Sequence, residues 1–61
     1  MDARVEQIIT VCRRLGITLD VNTVQGIIAE FQDLGYRLTK ADERELFEAA
    51  LHETERLLES L

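Results

Sequence analysis

A chain of 61 residues, 31% of them charged, with no proline, three glycines and one cysteine, has the composition of one small helical domain. It excludes a disordered segment, an internal disulfide framework and a Cys/His zinc module. A net charge of −5 sets the chain against the phosphate backbone of nucleic acids, and no apolar run approaches the roughly 20 residues that a membrane span requires.

The first predicted helix covers residues 3–15, with Asp2 as its cap. Val5, Ile8, Ile9, Cys12 and Leu15 recur at the spacing of one α-helical stripe. Arg13 and Arg14 sit in the last turn, where cations suit the helix dipole. Gly16 then stops the helix and Ile17 folds back on it.

The second helix, residues 21–34, repeats that pattern as Val24, Ile27, Ile28, Phe31 and Leu34, followed by Gly35 and Tyr36. Two residues compete for its cap. Asn22 would form a capping box with Gln25; Asp20 would match Thr39 in a nineteen-residue register. In that register positions 5–19 and 24–38 share six identities. Two helices of equal length, each stopped by glycine and restarted by a cap, account for the likeness without a repeat array.

The third helix spans residues 40–60. Thr39 caps it, and Asp42 and Glu43 favour its positive end. Leu46, Phe47, Ala50, Leu51, Leu57, Leu58 and Leu61 supply its apolar positions. No breaker interrupts it, which gives a length of about 30 Å. The two shorter helices cover only part of that length. Phe47, Leu51, Leu57, Leu58 and Leu61 are therefore predicted to form a contact face for a partner, with Phe47, Ala50, Thr54, Leu57 and Leu61 at alternating spacings of three and four. Gly26, inside helix two, is predicted as a point where a neighbouring backbone approaches closely.

Three other constellations carry competing chemistry. CRRLGITLDVNTVQGI resembles the turn of the helix-turn-helix family, with a small residue at Cys12, a glycine at Gly16, then Ile17 and Thr18. The resemblance implies a DNA-reading second helix and covers about a quarter of the chain. The family's next apolar position falls on Asn22, and Val24 comes two residues late. The segment 20–28 brings one acid and no arginine or lysine, so Asn22 and Gln25 are the side chains left to meet bases. Glu48, His52 and Glu55 share one face of helix three, and their spacing would suit a metal at a dimer interface. Cys12 occupies a stripe position, which assigns it a buried apolar role. The sequence holds no nucleophile–base pair and no phosphate loop.

A domain this small buries only about 60% of its unfolded surface. With neither disulfide nor metal to staple it, a partner chain is the expected source of further stability. The sequence thus predicts one all-α domain, a three-helix bundle with a longer third helix, self-associating. It is expected to act in the cytoplasm, with no signal-peptide core in MDARVEQ and a lone thiol. The predicted function is non-catalytic protein–protein interaction, as a small acidic adaptor, regulator or inhibitor binding another protein or itself. No cofactor, metal, nucleic acid or membrane enters that reading. The alternatives are a helix-turn-helix-like regulator and a metal-binding helical dimer.

Overall fold

The computed structural model describes residues 3–61 and consists of three helices: α1 (Ala3–Leu15), α2 (Val24–Asp33) and α3 (Lys40–Glu59). The all-α fold with a longer third helix is the one the pattern predicts. Asp2, the predicted cap of α1, lies outside the described residues. Among the described residues no helix is long and apolar enough to cross a membrane.

Both corners are built from the same two devices. At the first, Gly16 takes φ +71° and donates to Arg13 O, while the Ile17 N–H reaches back to Cys12 O at 2.8 Å. At the second, Gly35 takes φ +99° and donates to Gln32 O, and the Tyr36 N–H reaches Phe31 O at 3.0 Å. These are Schellman endings, which only glycine enters at low cost. Tyr36 completes the second one by packing edge-on against Phe31, ring centroids 5.1 Å apart.

Each ending is followed by a reciprocal side-chain box. Asp20 Oδ1 accepts from the N–H groups of Asn22 and Thr23, and Thr23 Oγ1 accepts from Asp20 N–H at 3.0 Å. Nineteen positions later, Thr39 Oγ1 accepts from Asp42 N–H at 3.1 Å and Asp42 Oδ2 accepts from Thr39 N–H at 3.0 Å. The residue types are exchanged between the two boxes and the geometry is shared. Neither Asp20 nor Asn22 is the cap itself: Asp20 closes the turn of residues 21–23, holding the Asn22 N–H, and Thr23 stands at the N-cap of α2 without a side-chain cap bond. The predicted start of the second helix at position 21 is corrected to Val24, because residues 21–23 form the turn closed by Asp20.

The core comprises Val5, Ile8 and Cys12 of α1, Leu19, then Val24, Ile27, Ile28 and Phe31 of α2, with Leu46 and Ala50 of α3. Both short helices pack on α3. Asp42 is buried, and Arg4 ties the start of α1 to it: Arg4 Nη1 lies 3.7 Å from Asp42 Oδ2 and donates to Arg37 O at 2.8 Å. Leu15 and Leu34, predicted to close their stripes, are instead exposed. Both stand at the edge of the stripe in the last turn, and both face an open groove between α1 and α2.

The three glycines separate by substitution. Gly16→Ala and Gly35→Ala each force a side chain into the left-handed region and lower the unfolding free energy by about 1–2 kcal/mol. Nothing lies within 4 Å of a Cβ built on Gly26, so Gly26→Ala raises it by up to about 1 kcal/mol. Urea titration followed by circular dichroism measures all three; a loss at Gly26 equal to that at Gly16 contradicts the assignment.

Candidate functional site

The covered part of α3 is one stripe. Leu46 and Ala50 are fully buried on it. Coverage ends near Thr54, whose Oγ1 accepts from Val21 N–H at 3.1 Å and donates to Ala50 O at 3.0 Å. From Glu55 onward every residue of α3 is exposed, although Arg56 still borders the groove with Arg13 and Gly16. Leu57 continues the core stripe onto this exposed end and is 39% exposed; Leu61 is fully exposed.

A second stripe runs along the outside of α3. Phe47, Leu51, Thr54 and Leu58 follow one another at spacings of four, three and four, the spacing of a coiled-coil seam, and Leu61 lies beyond the end of the helix at Glu59. Phe47, Leu51 and Leu58 are exposed, and the Thr54 hydroxyl already has a donor and an acceptor within the chain. From Phe47 to Leu58 this stripe measures about 17 Å. The structure thus corrects the single predicted seam: Ala50 belongs to the core and Leu51 and Leu58 replace Ala50 and Leu57 on the outer line. Taking roughly 200 Å² for a fully exposed large apolar residue, Phe47, Leu51, Leu57, Leu58 and Leu61 leave on the order of 600 Å² uncovered. Patches of that size on a single chain are associated with binding.

The frame of the stripe is acidic. After Arg44, α3 carries Glu45, Glu48, Glu53, Glu55 and Glu59 with one cation, Arg56. Arg56 is engaged by Glu53, its Nε lying 3.0 Å from Glu53 Oε2. That hydrogen bond holds the Glu53 carboxyl below its ordinary pKa and raises that of Arg56. α2 contains no basic residue, and its Glu30 lines the groove between α1 and α2 and not this face.

Gly26 does not join this face. It lines the groove between α1 and α2, a hollow of about 500 Å³ with Val11, Leu15, Ile17, Ile27 and Leu34 around it. No element of the chain approaches Gly26 closely. The exposed Leu15 and Leu34 in this groove escaped the sequence reading; their placement immediately before a glycine C′ residue was the available signal.

The competing constellations look different in three dimensions. Eight residues, 16–23, separate α1 from α2, whereas a helix-turn-helix corner uses three or four, and α2 offers no cation to a phosphate. His52 borders the groove between α1 and α3 beside Glu53 and Arg56. Among the described residues no group of three His, Cys, Asp or Glu side chains comes together. Cys12 is buried, and burial pushes its thiol pKa up. No known protein family, curated protein or solved structure matches the chain.

Cys12 gives a direct reading of the closed core. A raised pKa and burial both suppress the thiolate, so Ellman's reagent reacts at least about a hundredfold slower with the native chain than in denaturant. Immediate stoichiometric reaction of the native chain contradicts the packing of α1 on α3.

Proposed function

We propose that the chain is a non-catalytic protein–protein interaction module, a small acidic helical adaptor, regulator or inhibitor whose contact face is the outer stripe of α3. One observation carries this reading: Phe47, Leu51 and Leu58, at coiled-coil spacing along α3, stay about half or more exposed. Binding would lay a partner helix along Phe47, Leu51 and Leu58, with Leu57 and Leu61 extending the contact. The α1–α2 groove with Gly26 is a smaller second surface of the same chain. A cytoplasmic setting accompanies the proposal and rests on the single buried thiol.

Self-association through the same stripe is the second reading, favoured by its register. In an antiparallel pair Phe47 would meet Leu58 of the partner subunit and Leu51 would meet Thr54 of the partner subunit, so the middle of the seam is complementary to itself. The same register brings Glu48 beside Glu55 of the partner subunit, twice, and like charges at such flanks oppose pairing.

A photocrosslinking side chain in place of Leu58 tests the face, against the same group in place of Arg14 on α1. In the cells that make the protein, position 58 forms a discrete protein adduct that Leu51→Asp abolishes, and position 14 forms none. An adduct of twice the chain mass supports the dimer. Equal labelling from both positions, or none from position 58, contradicts the assignment of the face.

A further inference from the structure

The frame around the α3 stripe decides what kind of helix it accepts. This inference rests on the reading of that stripe as the contact face. From Phe47 onward the apolar line is flanked by Glu48, Glu55 and Glu59 on its outer side. The one cation in this part of α3, Arg56, is held by Glu53. Lys40 and Arg44 precede the apolar segment, in the first turns of the helix.

An apolar strip bordered by carboxylates repels a second copy carrying the same border and a net charge of −5. It attracts a helix with leucine-type anchors and lysine or arginine flanks. Apolar burial supplies affinity in such a pair, and the charges set partner choice and encounter rate. We infer that the outer stripe of α3, from Phe47 to Leu58, docks a basic amphipathic helix of another protein, with Glu48 and Glu55 facing its cations.

The available apolar area fits this occupant. About 600 Å² on this side, matched by a partner helix, reaches the lower end of specific interfaces, which bury roughly 1,200 Å² in total. Such a complex is salt-sensitive, because its flanking charges remain in water.

The test uses the full chain and two synthetic peptides of four heptads, each with leucine at the first and fourth positions. One carries lysine at the flanking positions and the other glutamate. Binding is measured by titration calorimetry, and sedimentation equilibrium reports the mass of the free chain. The lysine peptide is expected to bind the monomeric chain and to lose about tenfold in affinity between about 50 mM and 300 mM salt. Leu51→Asp/Leu58→Asp is expected to weaken it by more than about tenfold. Glu48→Lys/Glu55→Lys is expected to shift preference to the glutamate peptide. All four sites are exposed, so circular dichroism should show the fold retained; Leu51→Gln/Leu58→Gln replaces the aspartate variant should it unfold.

Equal binding of both peptides to the native chain, with loss in the leucine variant, overturns the basic partner and leaves the contact face standing. Undiminished binding of the lysine peptide to the leucine variant overturns both, since charge alone then explains it. A free chain of dimeric mass that the leucine variant converts to monomer overturns the basic partner in favour of a second copy. Absence of binding by either peptide overturns the inference.

Discussion

The coverage of α3 governs the rest of this structure. α1 has 13 residues and α2 has 10, and both lie on a helix of 20. They meet it along the stripe that contains Leu46 and Ala50, and the Val21–Thr54 hydrogen bond marks where their cover stops. A helix about 30 Å long cannot be enclosed from one side by two helices of that size. The last turn of α3 is therefore exposed, and the outer line keeps Phe47, Leu51 and Leu58 about half or more open to solvent. The same arithmetic keeps the core small, which fits the thin margin of stability of any domain in this size range.

The corners make that arrangement unique. A Schellman ending followed by a capping box fixes both where one helix stops and where the next starts. The two corners lie nineteen residues apart, and both short helices pack on α3. Asp42 adds a second function to its box, since its buried carboxylate also lies near Arg4. A buried carboxylate that accepts a backbone N–H and faces a guanidinium is satisfied in place, and it locks the beginning of α1 to the beginning of α3.

Much of this was legible before any coordinate. Apolar periodicity marked three helices, glycine marked the two stops, and Thr39 marked the last start. The beginning of α2 was obscured because Asp20 and Asn22 are both cap-forming residue types, and neither is the cap: the hydrogen bonds of Thr23 to Asp20 and Thr18 close a turn ahead of Val24. The exposure of Leu15 and Leu34 was hidden for a different reason: periodicity gives direction around a helix axis and says nothing about whether a neighbour is present at that height. The outer seam was blurred by its own abundance. Leu46, Phe47, Ala50, Leu51, Leu57 and Leu58 place apolar groups on two adjacent lines of one helix, and packing, not spacing, selects the buried one. The candidate site was thus visible as a set of residues and invisible as a geometry, and the close approach expected at Gly26 is not made by any element of the chain.

Amide hydrogen exchange along α3, resolved by NMR for the free chain and again with a lysine-flanked amphipathic helix, tests the account most directly. Exchange protection follows local packing and solvent exposure. The account predicts strong protection from Leu46 to Thr54 in the free chain, a sharp fall after Thr54, and protection extending through Leu58 once the basic helix is added. Even protection through Glu59 in the free chain, or no change after Thr54 on addition of the helix, would contradict it.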